Sequence, residues 1–429
     1  MLDAQFVVDH LEEVKANCRR RNIQADVDRV PELVAQRKRL VHAIQTLHQQ
    51  QNEHQKTVAR EKDSARRQEL VEQGRRLRDD VAQREVELRR VEQELRAVLY
   101  TIPNMTHPDA PVGTTAQDNR VLKRWGQIPR FPFRPRDHIT LCEYLDLADF
   151  AAGSSVAGPK FYFLKNEAVL LEWALVRYAF DKLAHEGFTL WITPDVARAE
   201  IVEGIGFLPR GPETQIYSIA DTDLCLIATA EITLGGLHRE HILDEKQLPL
   251  RYGGLSHCFR TEAGAPGRET RGLFRVHQFT KVEMFVYCTP EQSDALHGEL
   301  LRIEEELFQG LGIPYQVVDT CTGDLGAPAY RKFDIEAWMP GRGEQGEYAE
   351  VTSTSNCTDY QARRLNIRYK SPQHKGTRFV HTLNGTAIAV SRALVAILEN
   401  YQQEDGSVLV PEVLQPWVGR DRIEPRTGT

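Results

Sequence analysis

No stretch of this 429-residue chain approaches the roughly 18 consecutive apolar residues that a membrane span needs, so no membrane partner is expected. The opening, MLDAQFVVDHLEEVK, carries acidic residues where a secretory signal would be basic and then apolar. A cytoplasmic protein is expected. Cys-x-x-Cys is absent: the 7 cysteines stand far apart at 18, 142, 225, 258, 288, 321 and 357. Without paired ligands there is no zinc ribbon, and scattered thiols in an odd number do not make a disulfide framework. The 14 histidines show no His-Glu-x-x-His spacing. No structural zinc is expected, and the cysteines should be free, buried or half-buried thiols. Neither Gly-x-Gly-x-x-Gly after a strand nor a P-loop signature occurs, so doubly wound nucleotide folds lose support. Charge of one sign is also lacking. With 54 Lys+Arg against 61 Asp+Glu the net charge is −7, which disfavours a general polyanion binder and leaves open a local basic surface.

What is present falls into two halves with different grammar. After Pro31, as far as Tyr100, there is no proline and one glycine, Gly74. Pro31 suits the first turn of a helix, where its missing N–H is not needed. Leu33, Leu40 and Leu47 recur every seventh residue with Ile44 between them. A second series follows at Leu70, Leu77, Val81, Leu88, Val91, Leu95 and Val98. Spacings of three, four and seven draw one apolar stripe along each helix, the coiled-coil pattern. The stripe fades through His54-Gln55-Lys56 and Arg60-Glu61-Lys62-Asp63-Ser64, so a reversal is expected near residues 61–67. The result would be an antiparallel helical hairpin with arms of about 45–50 Å, projecting from a body. Its distal cations are nearly matched by acids; charge alone reads as a solvated coiled-coil surface.

Around Thr101–His138 the composition turns to Pro, Gly, Asn, Asp and Thr, which marks a linker into a second domain. Expected boundaries are 1–105 and 106–429. Beyond the linker, helical patterns at 163–186, 291–311 and 387–403 mix with β-like runs at 225–228, 281–288, 315–319, 332–338 and 378–383. Strands joined by irregular connections favour an antiparallel sheet with flanking helices, the α+β class.

The densest segment runs Ser256-His257-Cys258-Phe259-Arg260-Thr261-Glu262, passes through Gly264, Gly267 and Gly272, and returns as Arg275-Val276-His277-Gln278-Phe279-Thr280-Lys281-Val282-Glu283. It reads as a long hairpin with a mobile loop. Alternation puts Arg260 and Glu262 on one face, and Arg275, Phe279 and Glu283 on one face of the return strand. Guanidinium forks suit phosphate oxygens. A phenyl face suits stacking on a purine, and a carboxylate can accept from an amino group.

Phe-Arg-x-Glu, a loop, then Arg-x-x-x-Phe resembles motif 2 of the class II aminoacyl-tRNA synthetases. His185-Glu186-Gly187-Phe188 through Pro194 is similar to motif 1. Asn384-Gly385-Thr386 through Arg392 resembles motif 3, in the form usual for the seryl branch. Thr229-Ala230-Glu231, the stretch Glu350 to Asn356 followed by Gln361-Ala362-Arg363-Arg364, and the run Glu399 through Glu412 also resemble the bacterial-type seryl-tRNA synthetase family. With the helical arm, the resemblance covers essentially the whole chain.

The resemblance implies a ligase that activates serine with ATP to seryl-adenylate and passes the seryl group to tRNA(Ser), and to tRNA(Sec) where present. It implies Arg260 on the α-phosphate and Arg392 on the γ-phosphate as catalytic residues. The ATP site would comprise these two with Thr261, Glu262 at the adenine edge, Arg275 on the bent triphosphate tail, Val276, Phe279 stacked on adenine, Glu350, Val351, Thr352 and Ser353. Glu350 and Ser353 would hold Mg²⁺. Thr352 stands where serine is common and keeps the hydroxyl. The serine site would comprise Thr229, Ala230, Glu231, Arg260, Glu283, Asn384 and Thr386. Polar groups suit a substrate with an amine and a small hydroxyl, and such a site can reject alanine. The loop at 263–272, with Arg268 and Arg271, would meet ATP and then the tRNA acceptor end. The family forms homodimers whose arm lies across the tRNA body in trans, which makes Arg60, Lys62, Arg66, Arg67, Arg75, Arg76 and Arg78 candidate phosphate contacts. Two other readings share some motifs: a paralogue that loads another small amino acid or a carrier protein, and a catalytically silent relative. The arm and Thr229-Ala230-Glu231 argue against the first. The intact Arg260, Glu262, Phe279, Glu283, Glu350 and Arg392 argue against the second.

Overall fold

A computed structural model describes residues 1–207, 214–263 and 271–426. The chain divides into two compact units, Met1–Met105 and Thr106–Thr429. Among the described residues no helix is long and apolar enough to cross a membrane. All seven cysteines are free and buried.

The first unit is helical: α1 (Ala4–Asp9), α2 (Leu11–Arg20), α3 (Arg29–Arg60) and α4 (Ser64–Thr101). Helices α3 and α4 have 32 and 38 residues, or about 48 and 57 Å at about 1.5 Å per residue. The reversal occupies Glu61–Asp63, inside the expected window. Its acids satisfy the turn. Glu61 Oε1 accepts from the Lys62 and Asp63 N–H groups at 2.8 and 2.9 Å. The Asp63 side chain caps α4 through the Arg66 N–H at 2.8 Å. Leu33, Leu40, Leu70, Val81, Val91 and Leu95 are buried along the seam, as their heptad spacing requires; so is Leu99, where the spacing pointed to its neighbour Val98. Where the stripe fades, polar contacts replace it. The His54 ring nitrogen Nε2 meets the Leu70 carbonyl at 2.6 Å, and Gln51 donates to the Leu77 carbonyl at 3.1 Å. A Cβ on Gly74 would lie 3.3 Å from the His54 ring, so this glycine gives the histidine its room.

The second unit is built on an eight-stranded sheet. Its strands are β1 (Arg120–Trp125), β2 (Thr189–Ile192), β3 (Leu250–Phe259), β4 (Gln278–Cys288), β5 (Tyr315–Asp319), β6 (Arg331–Met339), β7 (Glu347–Asn356) and β8 (His381–Ala389). Spatial order is β1-β5-β6-β7-β8-β4-β3-β2; every pair is antiparallel except β2–β3. The principal helices are α5 (Glu167–His185), α6 (Ala230–Gly236), α7 (Ser293–Gly310) and α8 (Val390–Asn400). The α+β architecture expected from the pattern is therefore observed. Three expectations shift. The segment 378–383 divides into a short strand Thr377–Phe379 and the start of β8, the helical pattern at 387–403 begins as strand because β8 runs to Ala389, and that at 163–186 begins with a strand pair, Phe163–Leu164, before the helix starts at Glu167.

Strand alternation on β4 distributes the core. Val282, Met284, Val286 and Cys288 enter the larger apolar cluster with α5, α7 and α8, while Phe285 and Tyr287 join a second cluster on the other face. Continuing that second face along the strand gives Glu283, Lys281 and Phe279. The sheet thus passes from apolar core to polar cavity along one face of one strand.

Candidate active site

Phe279, Lys281 and Glu283 line a cavity of about 780 Å³. Also in its wall are Thr229, Glu231, Arg260, Glu262, Val276, Glu350, Val351, Thr352, Ser353, Asn384, Thr386 and Arg392. The fold thus gathers into one cavity most of the site residues that the motifs singled out. Ala230, Thr261 and Arg275 do not line it. Ala230 is buried at the start of α6, and Thr261 donates from Oγ1 to the Thr214 carbonyl at 2.5 Å.

Two β-bulges shape the wall. Positions 350 and 353 have opposite parity, so on a regular strand their side chains would face opposite ways. Opposite β6, Thr352 pairs with Ile335 and Glu350 with Glu336, which leaves Val351 as an extra residue. That bulge lets Glu350 and Ser353 reach the same cavity. In β8, Thr386 pairs with Glu283 and Ile388 with Val282, with Ala387 extra, so Thr386 and Ala389 both line the cavity. Nothing in the sequence pattern announced either bulge.

The hairpin geometry expected for motif 2 needs correction. β3 ends at Phe259 and β4 begins at Gln278, so Arg260, Glu262 and Arg275 lie beyond the strands. Glu262 takes a left-handed backbone, φ +52°, and so does not follow strand alternation from Arg260. The residues converge through side-chain bonds instead: Arg275 Nη1 pairs with Glu262 Oε2 at 3.2 Å. Arg260 is fixed by its own backbone, whose N–H donates to the His277 carbonyl at 3.0 Å. Its Nε donates to the Ala228 carbonyl at 3.3 Å, and its guanidinium lies 5.3 Å from the centre of the Phe279 ring. Within the loop, Arg268 lies outside the described residues; Arg271 pairs with Glu143 at 3.6 Å.

One end of the cavity is rich in carboxylates. Thr229 caps α6, its hydroxyl accepting from the Glu231 N–H at 3.2 Å. Glu231 Oε1 accepts from Gln361 at 2.7 Å and from Asn384 at 2.9 Å. Burial, and next the charge of Glu283, push the Glu231 carboxyl up to about 7. Glu283 Oε2 lies 2.5 Å from Lys281 Nζ and accepts from the Thr386 hydroxyl at 3.4 Å. Burial raises its pKa too, against the pull of Lys281.

The other end is cationic. Arg392 Nη1 donates to the Glu350 carbonyl and carboxylate, both at 3.0 Å, and its guanidinium stands 4.9 Å from the centre of the Phe274 ring. Burial pushes the Glu350 carboxyl up, but Arg392 and Lys332 outweigh it and hold the group down at about 2. Ser353 stands opposite Asp334 in register and lines the cavity beside Lys332. Ionised Glu350 and the Ser353 hydroxyl are hard donors, a pair that suits Mg²⁺ completed by phosphate oxygens and water. Among the described residues no group of three or more His, Cys, Asp or Glu converges as a metal cage. Thr352 turns its hydroxyl elsewhere, donating to the fully buried Glu304 at 2.7 Å.

Sequence reasoning gave no role to Lys281, Lys332, Gln361, Phe274 or Glu304. Lys281 was within reach, since period two places it between Phe279 and Glu283. Gln361 lies in the Gln361–Arg364 stretch, and its bond to Glu231 spans 130 residues of chain. Lys332 and Glu304 had no local signal.

On the helical unit, Arg60, Lys62, Arg66, Arg67, Arg75, Arg76 and Arg78 are all exposed. Arg66 pairs with Glu69 at 2.9 Å and Arg75 with Glu72 at 3.6 Å, while Arg78 donates to the Gly74 carbonyl at 3.3 Å.

Comparison with known proteins places both units. Residues 216–401 match the tRNA synthetase class II core domain (G, H, P, S and T), and residues 1–106 match the seryl-tRNA synthetase N-terminal domain. The serine–tRNA ligase of Treponema denticola is 57% identical over 423 residues, 99% of this chain and 100% of the relative. That of Rubrobacter xylanophilus is 58% identical over 425 residues, 99% of each. Among solved structures, seryl-tRNA synthetase from Pyrococcus horikoshii complexed with ATP superposes with a TM-score of 0.91 at 42% identity, covering 99% of this chain and 100% of that one. Cytoplasmic serine-tRNA ligase from Naegleria fowleri in complex with AMP gives 0.85 at 32%, covering 97% and 96%.

Proposed function

The chain belongs to the seryl-tRNA synthetase family, and on that premise we propose how its cavity divides the work of a serine–tRNA ligase. The enzyme activates serine with ATP to seryl-adenylate and transfers the seryl group to tRNA(Ser). The observation that carries the residue roles is a single cavity that brings two buried carboxyls, Glu231 and Glu283, together with two guanidinium groups, Arg260 and Arg392.

Serine binds with its ammonium toward Thr229, Ala230 and Glu231, and Asn384 steadies that carboxyl. Its hydroxyl donates to Glu283 beside Thr386. Phe279 stacks on adenine, with Thr261, Glu262 and Val276 along the base edge. Arg275 holds the folded triphosphate. Arg392 takes the γ-phosphate, Val351 and Thr352 supply wall, and Glu350 with Ser353 would hold Mg²⁺. When bound, that ion neutralises phosphate charge.

No side-chain nucleophile is required. The serine carboxylate attacks the α-phosphorus and pyrophosphate leaves. Arg260, fixed by its backbone and Nε bonds, meets the charge that develops on the equatorial oxygens, which is alignment plus electrostatic stabilisation. The terminal ribose hydroxyl of tRNA then attacks the seryl carbonyl and AMP departs. The arm cations meet tRNA phosphates, a recognition of backbone and shape.

A homodimer belongs to this reading. Helix α5 exposes Val169, Leu170 and Trp173, the last 75% exposed, and β2 at the sheet edge exposes Leu190, Trp191 and Ile192. Large apolar side chains left exposed on a helix and on an open strand edge suit a second copy. A cytoplasmic location and service to tRNA(Sec) where it exists complete the proposal. Amino-acid-dependent ATP–pyrophosphate exchange tests it: exchange is expected with serine and should be far lower with glycine, alanine or threonine. Exchange highest with glycine or alanine would overturn it.

A further inference from the structure

Lys281 is an ammonium 6% exposed in the floor of the cavity, 2.5 Å from the Oε2 atom of Glu283, itself 2% exposed. The strand leads it there. Residues 281 and 283 share a face of β4, and the cross-strand neighbours of Lys281 are the small residues Ser256 and Ala389. Larger residues at those two positions would crowd the lysine stem. The groups that face Glu283 come from every packed element: Lys281 on its own strand, Arg260 after β3, Glu231 on α6, Glu304 on α7 and Thr386 on β8. Against three buried carboxyls, Glu231, Glu283 and Glu304, stand the cations Lys281 and Arg260, Lys281 being the one paired with Glu283.

We propose that Lys281 is a positioning residue for amino-acid selection: its ammonium anchors Glu283 as an anion, so that the pocket demands a hydroxyl donor from its substrate. This rests on Glu283 as the acceptor of the serine hydroxyl. A carboxylate has no proton to give and must accept. Alanine adds no donor to the acceptor capacity that Lys281 and Thr386 leave on the carboxylate, whereas the serine hydroxyl does. Without Lys281, burial beside Glu231 would draw a proton onto Glu283. A neutral carboxyl can donate as well as accept, so it no longer imposes the same demand.

The test is pyrophosphate exchange by the full-length enzyme with serine and with alanine, for wild type, K281M, K281R and E283Q. K281M should raise the KM for serine and narrow the preference for serine over alanine, each by about tenfold or more, the scale of one buried polar contact. Its ATP KM should change by less than about twofold, and the acid side of its pH profile should move upward, because Glu283 then holds a proton to higher pH. K281R should recover most of the preference. Should K281M not fold, K281Q carries the same comparison. An unchanged serine KM and preference in K281M, with both lost in E283Q, would overturn the role of Lys281 and leave Glu283 in place. If E283Q also leaves both unchanged, the reading of Glu283 itself falls.

Discussion

Arg66 on the helical arm and Arg260 in the cavity carry the same guanidinium in opposite settings. The Arg66 side chain is 61% exposed and its partner Glu69 is 63% exposed, three residues along one helix. Such pairs contribute only about 0–1 kcal/mol and are screened by salt. Arg260 lies against the Phe279 ring, fixed by the Ala228 carbonyl and by a backbone bond to residue 277. Its charge faces a cavity that also holds Glu231 and Glu283. Charge on the arm acts through number and reach; charge in the cavity acts through placement. A net charge of −7 averages the two and describes neither.

The largest way to test that contrast is Arg260→Ala. Losing one preorganised donor costs about 10²–10³ in rate, and both exchange and tRNA charging should fall together. Exchange kept within a few-fold of wild type would refute the assigned role.

Arm changes should split the two activities. Deletion of residues 36–95 should spare exchange and cripple charging. The milder double variant Arg75→Ala and Arg76→Ala should weaken charging and flatten its salt dependence, by about one unit of slope per phosphate contact removed. Charging intact after the deletion would show that the arm is not the tRNA grip.

The smallest effect belongs to Glu304, fully buried beneath the cavity wall with Oε1 unpartnered. Burial raises its pKa well above the ordinary 4.5. A carboxyl raised on folding gives stability that is complete below its unfolded pKa and lost as pH rises toward the folded value. Glu304→Gln has no such loss, so the melting temperature of the variant relative to wild type should climb between pH 5 and pH 8. A difference independent of pH would contradict a raised pKa.

The legible parts were those set by local repetition. The fading of the heptad stripe bracketed the reversal at residues 61–67, which contain the observed turn Glu61–Asp63, and period two along β4 put Phe279 with Glu283. Motif residues far apart in the chain were legible through resemblance and do meet in one cavity. Where alternation was carried past the strand ends, it misplaced Arg260, Glu262 and Arg275, because a left-handed residue and irregular backbone interrupt the period there. The bulges at Val351 and Ala387 were invisible, since an extra residue shows only against the partner strand.

The sequence by itself determined the two-part organisation, the α+β class of the second unit and the family. Those follow from periodicity and from motifs whose order survives in one dimension. The tertiary structure decided which side chains share a face, which oxygen each donor reaches and how burial moves a carboxyl. Glu231 meets Gln361 and Asn384 across 130 and 153 residues of chain. Bonds over such separations depend on strand register and on the low dielectric of a closed cavity, and neither is written locally.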